Sequence, residues 1–242
     1  MSLSCVSLCA GYGKQRQLHQ VSLSFNKGEV VALLGANGSG KTTLLRCLLD
    51  LIPLQSGDIR LDEQSLTHFT ASEKAKALAY VPQLHRLSFG YTAVDVVLMG
   101  VMAGRSIFSQ PSLADKELAR YWLQQLNVNA LADKLLTEVS GGQRQLVMIA
   151  RSMAQQARFI LLDEPTNGLD YANQHRLLSL LRRCANQQQG LIFTTHDPTH
   201  ARRYADRVIL LNQGEIVGDG HPQQVLRDED LHKIYDLTGV DL

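Results

Sequence analysis

The sequence contains 242 residues, of which 45% are hydrophobic and 19% are charged, and its formal net charge is +1. This length is sufficient for one large domain, or for one domain with an insertion, around a sizeable core. The charge balance argues against a nucleic-acid-binding protein, which usually carries a strong basic excess. No apolar run approaches the roughly 18 residues of a membrane-spanning helix. Met1–Cys5 shows no secretory signal, so we expect a soluble, cytosolic chain.

The first predicted elements are strands, followed by a glycine-rich loop and a helix. Val21, Leu23 and Phe25 alternate with polar residues, which indicates a half-buried strand. The continuous apolar run Val30–Leu34 indicates a strand that is covered on both faces. The helix is predicted to begin at about Lys41.

The segment 85–150 is predicted to be mostly helical. Leu118, Trp122 and Leu126 recur every four residues, which indicates one face of an amphipathic helix. Another helix is predicted to follow Ser140. Further strands are predicted on both sides of this block, at 57–61, 78–81, 159–162, 191–195 and 208–211. This order of elements predicts an α/β fold with a helical block between its strand-bearing halves.

The glycine-rich loop Gly35–Thr42 matches the phosphate-binding pattern GxxxxGK[ST]. Glycines let backbone amides surround a polyphosphate, and the following helix directs its positive N-terminus at the same anion. Lys41 would reach the β- and γ-phosphates, and the Thr42 hydroxyl would complete the shell of a Mg²⁺ ion. The loop therefore predicts nucleotide binding. The candidate ligands are Gly35, Asn37, Gly38, Ser39, Gly40, Lys41, Thr42 and Thr43.

An acidic pair, Asp163 and Glu164, follows the apolar run Phe159–Leu162. An Asp at the tip of a strand beside a phosphate loop can hold Mg²⁺, directly or through water. The adjacent Glu is placed to orient and deprotonate an attacking water, so the predicted reaction is hydrolysis. The alternative is a solvated acidic pair, which is common for such a dipeptide alone.

The segment Ser140–Arg144 (SGGQR) begins a predicted helix. Ser140 is a candidate N-cap, and the two glycines leave free amides at the positive helix end. The segment is therefore a candidate for a second anion site. Taken alone, it is equally compatible with a simple helix cap.

The four cysteines predict neither a metal site nor a disulfide framework. Cys5 and Cys9 are four residues apart, and Cys47 and Cys184 are isolated. Neither arrangement has the spacing of a zinc ribbon or of a redox CxxC motif. We therefore expect reduced thiols that are partly buried.

The order of these motifs resembles the ATP-binding cassette of ABC transporters. The resemblance spans nearly the whole chain and rests on Gly35–Thr42, Gln83, Ser140–Gln143, Ile160–Glu164, Asp170 and His196. It implies an α/β fold: a P-loop ATPase core with a mixed sheet, an N-terminal antiparallel β subdomain and an inserted α-helical subdomain. Residues 1–84 and 151–242 would form the core with the β subdomain, and residues 85–150 would form the helical signature subdomain.

The resemblance also implies roles for individual residues. Tyr12 looks like the aromatic residue that stacks on adenine, and His196 matches the switch histidine that contacts the γ-phosphate. Gln83 matches the glutamine that contacts Mg²⁺ and the membrane partner, and Asp170 lies in the loop that joins two subunits. The implied catalytic residues are Glu164, His196, Lys41 and Gln83, and the implied Mg²⁺ ligands are Thr42, Gln83 and Asp163. The family usually has Leu where this chain has Val139, a conservative change.

The resemblance implies that the signature segment acts on ATP held by the phosphate loop of another copy, so with one of each per chain a complete site is expected to need two copies. The residues implied to act on ATP held by the other copy are Ser140, Gly141, Gly142 and Gln143. The resemblance therefore implies an ATP-sandwich homodimer. It also implies two transmembrane permease subunits that bind near Gln83 and Ser88–Tyr91, and an external substrate-binding protein. A nucleic-acid partner is not expected, and the implied location is peripheral, on the cytoplasmic face of the inner membrane.

The expected transport direction is import. A free-standing cassette of this length resembles those of bacterial importers more than those of exporters. Ser140–Leu146 and Asp163–Gln174 look like the group that imports iron-siderophore, haem, cobalamin and molybdate, whereas Val97–Gly100 and Pro111–Asp115 are also similar to zinc and manganese cassettes. The expected function is ATP hydrolysis that powers import of a metal-chelate compound or molybdate. The alternatives are a zinc or manganese importer and a soluble, non-transport ABC ATPase.

Overall fold

A computed structural model of the chain describes residues 1–13, 15–83, 90–106, 108–185, 189–227 and 231. Within these residues, ten strands and eight α-helices follow one another. Their bounds are β1 Ser2–Tyr12, β2 Gln15–Asn26, β3 Val30–Leu34, α1 Lys41–Leu48, β4 Leu54–Leu61, β5 Gln64–Ser65, α2 Ala71–Ala77, β6 Leu78–Val81, α3 Ala93–Val101, α4 Leu113–Gln125, α5 Gly141–Ala154, β7 Phe159–Leu162, α6 Tyr171–Ala185, β8 Gly190–Thr195, α7 Pro198–Tyr204, β9 Arg207–Asn212, β10 Glu215–Gly220 and α8 Pro222–Val225. Among the described residues, no helix combines the length and the apolar character needed to cross a membrane.

The chain divides into two compact units. The first unit comprises Met1–His68 and Leu178–Leu242, and the second comprises Phe69–Leu177. The first unit contains β1–β5, β8–β10, α1, α7 and α8, whereas the second contains β6, β7 and α2–α5. The helical signature subdomain predicted over 85–150 lies within the second unit, and its separate boundaries stay a prediction.

The strands of the first unit form an antiparallel group and a mixed group. β1 lies between β2 and β4, antiparallel to both, and β5 pairs with β4 at the edge. In the mixed group, β3 lies between β8 and β9, parallel to both, and β10 pairs with β9 in the antiparallel direction. The predicted antiparallel β subdomain and mixed sheet are therefore confirmed.

β3 and α1 form the part of the first unit that positions the glycine-rich loop. All five side chains of Val30–Leu34 are buried, as expected of a parallel strand covered on both faces. Leu44, Leu45 and Leu48 of α1 are fully buried, and each such side chain contributes roughly 1.5–3 kcal/mol of transfer free energy. The loop is thus held between two buried elements.

The second unit joins a short parallel strand pair to a group of helices. β6 pairs with β7, so that Leu78 lies opposite Phe159 and Val81 lies opposite Leu162. All four side chains of β7 are buried. Helices α3, α4 and α5 pack on one another. The predicted helix after Ser140 is confirmed, and its buried side chains include Leu146, Ile149, Ala150 and Met153.

Each of the helices α2–α5 begins with a capping box, in which the N-cap side chain and the third helical residue bond to each other's backbone N–H. The four pairs are Thr70 with Glu73, Thr92 with Asp95, Ser112 with Asp115, and Ser140 with Gln143. The predicted N-cap role of Ser140 is therefore confirmed.

The buried face of α4 differs by one position from the prediction. The buried residues of this helix are Asp115, Ala119 and Leu123. Leu118 and Trp122, which we predicted on the buried face, are only half-buried, whereas Leu126 is buried as predicted. Asp115 lies on the buried face although it is charged, whereas its hydrogen-bond partners Arg105 and Ser112 are exposed.

Asp115 is stabilised in its ionised form by four hydrogen bonds. Arg105 donates from Nη1 and Nη2 to the two carboxylate oxygens, at 3.0 and 2.8 Å. Ser112 donates its backbone N–H and its hydroxyl to Oδ2, both at 2.8 Å. The Arg105 guanidinium, and after it Ser112, hold the pKa of the Asp115 carboxyl well below its usual range.

We expect Asp115→Asn to lower the thermal midpoint at pH 7, and the difference from the wild type to shrink in acid. Because the pKa of Asp115 is lowered in the folded state, its ionised form stabilises the protein fully above the unfolded pKa of about 3.9. That stability is lost progressively as the pH falls from this value through the folded-state pKa. Thermal unfolding of both proteins from pH 7 down to about pH 3 measures the start of this decrease. Asp133→Asn is the control, since Asp133 pairs with Arg120 while 79% exposed and should contribute little. Equal midpoints of Asp115→Asn and the wild type at pH 7 would contradict this expectation.

The four cysteines are free and buried, as predicted. Burial raises the pKa of the Cys5 thiol to about 11. This thiol therefore stays protonated at neutral pH and behaves as a small apolar side chain.

Candidate functional site

The phosphate loop lies in the first unit, between the end of β3 and the start of α1. A Cβ atom on Gly35 would lie 2.1 Å from the Leu211 carbonyl oxygen and 2.7 Å from Ser39 Oγ, so only glycine fits here. The Gly214 N–H donates to the Ser39 carbonyl oxygen at 3.0 Å and braces the loop from the β9–β10 turn. The strand–loop–helix context that the phosphate-binding pattern requires is confirmed.

Two buried polar groups of the loop indicate which ligand it fits. Lys41 is 6% exposed, and its Nζ donates to the carbonyl oxygens of Gly35 and Ala36 at 2.7 and 3.0 Å. Ser39 is 4% exposed, and its Oγ has no hydrogen-bond partner among the residues that the structure describes. Buried hydroxyls without partners are uncommon in folded proteins. With a lysine ammonium and a helix N-terminus beside it, this hydroxyl fits a polyphosphate anion.

Two further predicted contacts of the nucleotide are held by side chains from other elements. Thr42 is half-buried, whereas Thr43 is buried and donates its hydroxyl to Gln17 Oε1 at 2.6 Å. Tyr12, at the end of β1, is 44% exposed, and its hydroxyl accepts a hydrogen bond from Arg46 Nη1 at 2.9 Å. The Thr43 hydroxyl and the Tyr12 ring therefore each have a defined orientation.

The acidic pair lies in the second unit, directly after β7. Asp163 is 1% exposed, and its backbone N–H donates to the Val81 carbonyl at 2.9 Å. Glu164 is half-buried and has a φ of 47°, in the left-handed region that side-chain-bearing residues rarely adopt. Its carbonyl accepts the Asn167 N–H at 3.1 Å, which closes a turn. The alternative of a solvated acidic pair is wrong for Asp163, because burial removes it from bulk water.

Gln83 and Glu164 are far apart in the sequence but form a hydrogen bond. Gln83 Nε2 donates to Glu164 Oε2 at 3.0 Å, so one carboxylate oxygen of Glu164 has a fixed partner. With its nitrogen donating to Glu164, the Gln83 amide would use Oε1 for the predicted contact with Mg²⁺. The oxygens of Gln83, Asp163 and Thr42 are hard donors of the kind that Mg²⁺ prefers, so the chemistry of this predicted donor set fits the ion.

The signature segment forms the start of α5. Ser140 Oγ accepts the Gln143 N–H at 3.2 Å, and Gln143 Oε1 accepts the Ser140 N–H at 3.0 Å. A Cβ atom on Gly142 would lie 2.7 Å from the Gly168 carbonyl oxygen, whereas Gly141 faces open space. The two side chains therefore cap the helix, and Gly142 permits close contact with the loop that contains Gly168.

Asp170 directly precedes helix α6, and His196 directly follows strand β8. The Asp170 carboxylate accepts the Asn173 N–H at 2.9 Å and Asn173 Nδ2 at 2.8 Å, and so caps the start of α6. His196 follows β8 and is exposed. Residues 84–89, which include the first two of the four residues in the predicted permease contact Ser88–Tyr91, lie outside the described residues.

The predicted site residues fall into two groups, one in each unit. The first unit holds Tyr12, the phosphate loop and His196, and the second holds Gln83, Ser140–Gln143, Asp163, Glu164 and Asp170. Within the second unit, Gln83, Gly141 and Glu164 line one cavity.

A family model described as ABC transporter matches residues 18–167, which is more than half of the chain. The chain belongs to the ABC transporter family. The matched range includes the phosphate loop, Gln83, the signature segment and the acidic pair of this ABC protein. Tyr12, Asp170 and His196 lie outside the matched range.

Similar proteins cover nearly the whole of this ABC protein. It is 40% identical over 229 residues to the hemin import ATP-binding protein of Shewanella denitrificans, covering 92% of this chain and 89% of that protein. It is 32% identical over 238 residues to the "probable iron chelatin transport ATP-binding protein" of Helicobacter pylori, covering 98% and 93%. Among solved structures, an inward-facing ABC transporter assigned to the metal-chelate type has a TM-score of 0.83 and 35% identity, covering 97% of this chain and 89% of that chain.

Three polar residues of the ABC protein's site were missed from the sequence: Gln17, Arg46 and Gln145. Gln17 and Arg46 had no local signal, because each contacts a residue of a distant segment. Gln145 did have one: it lies four residues before the buried Ile149, on an inward-facing side of the helix.

Proposed function

We propose that this chain is the ATP-hydrolysing subunit of a bacterial importer for metal-chelate compounds, such as haem or iron-siderophore complexes. Family membership supports ATP hydrolysis. The similar proteins named for hemin import and for iron chelatin transport support import of a chelate. The observation that carries the hydrolytic part is the half-buried Glu164, whose carboxylate is held by Gln83 at 3.0 Å.

In this proposal the first unit binds ATP. Lys41 exchanges its contacts with the loop carbonyls for contacts with the β- and γ-phosphates, and Ser39 Oγ gains the hydrogen-bond partner that it lacks among the described residues. The backbone amides of Gly38 and Gly40 surround the same anion. Tyr12 stacks on the adenine ring, with its orientation set by Arg46.

Thr42, Gln83 and Asp163 are the proposed Mg²⁺ ligands. The ion, when bound, neutralises charge on the β- and γ-phosphate oxygens. Asp163 suits this role because its carboxylate is buried at the end of a strand. The Gln83 amide offers its oxygen because its nitrogen donates to Glu164.

Glu164 is the proposed general base. Its carboxylate takes one proton from a water molecule, whose oxygen forms the new bond to the γ-phosphorus as the bond to ADP breaks. Gln83 donates to Oε2 and so holds the carboxylate in a defined orientation. His196 is proposed to contact the γ-phosphate. The reaction therefore needs one proton acceptor, and water is the only acceptor of the phosphoryl group.

The proposed working unit is a homodimer that binds two ATP molecules. Ser140, Gly141, Gly142 and Gln143 of one copy contact the ATP held by the other copy, and Asp170 lies at the interface. The open environment of Gly141 leaves the positive end of α5 accessible to an anion. ATP binds the closed dimer more tightly than the open one, so binding and hydrolysis drive closing and opening.

The dimer is proposed to act on a pair of permease subunits that receive cargo from an external substrate-binding protein. This chain would then lie on the cytoplasmic face of the inner membrane as a peripheral subunit. The cargo would be bound by its partners and not by this chain.

Reconstitution of the complex with its permease in liposomes tests the cargo class. We expect chelates, offered as haemin, ferric siderophores and cobalamin with the binding protein, to stimulate ATP hydrolysis several-fold. Zinc and manganese salts should leave hydrolysis at its basal rate. A Glu164→Gln complex is the control and should show no stimulation. Stimulation by zinc or manganese alone would contradict the chelate assignment and favour a metal-ion importer.

A further inference from the structure

A cavity of about 150 Å³ lies beside Glu164 within the second unit. Its lining residues are Gln83, Gly141, Gln145, Glu164, Asn167 and Gly168. The side chains among them carry amide and carboxylate groups. A polar cavity of this size has room for several water molecules with hydrogen-bond partners.

Gln145 is the buried polar residue of this cavity to which the proposed reaction gives no role. It is 5% exposed and lies in α5, in the turn that follows the signature glycines. Its side chain borders the cavity, where an amide can form hydrogen bonds to ordered water.

Glu164 already has one fixed hydrogen bond in the same cavity. Gln83 Nε2 donates to its Oε2 at 3.0 Å, and the backbone conformation at Glu164, with a φ of 47°, turns this residue away from the direction of β7. The other carboxylate oxygen is the one that must be aligned with the attacking water. A second donor beside the cavity can set that alignment through water.

We propose that Gln145 is a positioning residue for the reaction, whose side-chain amide orders water in the cavity and so orients the Glu164 carboxylate for proton abstraction. The inference rests on the proposed function, because it takes Glu164 as the base. Gly141 lines the same cavity, so the signature turn and the base share one polar space.

The substitution Gln145→Leu tests this role. It should lower kcat about tenfold, the effect of losing one hydrogen bond that orients the base, while KM for ATP stays within about twofold of the wild-type value. The thermal midpoint should stay close to the wild-type value, because leucine has a volume similar to that of glutamine. Gln145→Met, which has a similar length and no amide, should lower kcat by the same factor.

Ser152→Ala is the matched control. Ser152 lies on the same helix, is 1% exposed, and donates its hydroxyl to the Ile149 carbonyl at 2.8 Å, so a general disturbance of α5 would lower the kcat of Ser152→Ala as well. We expect the kcat of Ser152→Ala to equal that of the wild type. If Gln145→Leu kept the wild-type kcat, or lost activity only in proportion to a lower thermal midpoint, the positioning role would be refuted.

A double variant separates this inference from the proposed function. If Gln145 acts through Glu164, adding Gln145→Leu to Glu164→Gln should cause no further loss of turnover. Normal hydrolysis by Glu164→Gln alone would refute the proposed base and, with it, this inference. A strongly impaired Glu164→Gln variant beside a fully active Gln145→Leu variant would refute the positioning role alone.

Discussion

Glu164→Gln is expected to lower the ATP hydrolysis rate by about 10²–10⁴-fold, the contribution usual for a general base. The replacement amide cannot accept the proton of the attacking water, but it has the same shape and keeps an oxygen for the Gln83 N–H. Nucleotide binding should therefore be retained. Phosphate release under saturating ATP and Mg²⁺ measures the rate, and a fluorescent-ATP titration measures the binding.

Glu117→Gln is the control for this variant. Glu117 is an exposed carboxylate on α4, so the same chemical change there should leave hydrolysis unaffected. Near-normal turnover by Glu164→Gln would show that another group takes the proton, and the assignment of Glu164 as the base would be wrong.

Lys41→Ala is expected to weaken ATP binding by about 10–100-fold, because it removes charge-assisted hydrogen bonds that are worth about 1.5–3 kcal/mol. The Lys41 ammonium is buried against the carbonyls of Gly35 and Ala36, so it is already held within the loop before a phosphate arrives. A fluorescent-ATP titration measures the dissociation constant directly.

Lys116→Ala controls for the loss of a positive charge, since Lys116 is exposed on α4. Adenosine, which has no phosphate, should not distinguish the two variants. Lys41→Ala should bind adenosine with the same affinity as the wild type. An unchanged ATP affinity in Lys41→Ala would contradict the proposed phosphate contact.

The parts of the site that sequence reasoning predicted well are encoded locally. The loop Gly35–Thr42 carries its own conformational requirements, and its context between a buried strand and a helix is what the structure shows. The strand before Asp163 is a continuous apolar run, so its end and the residue that follows could be located by pattern alone.

The parts that could not be predicted depend on contacts between distant segments. The hydrogen bond between Gln83 and Glu164 joins residues that no local pattern links. The same holds for the bond from Arg46 to Tyr12, which orients a ring that only the family resemblance had singled out.

Burial of polar residues caused the remaining error. The predicted face of α4 rested on apolar residues alone and did not include Asp115, whose carboxylate is satisfied by Arg105 and Ser112 and can therefore be buried. Gln145 lines a cavity, and its spacing from Ile149 was a signal that a count of apolar residues alone leaves unused. Such a count gives no weight to polar residues whose burial depends on hydrogen-bond partners or on a cavity.

The measurement that tests the central claim most directly is the molar mass and nucleotide content of Glu164→Gln, saturated with ATP and Mg²⁺, by size-exclusion chromatography with light scattering. Joint binding of each triphosphate by two copies predicts a particle of two chains that retains two ATP molecules. A particle of one chain that retains one ATP, protected from exchange, would contradict the account.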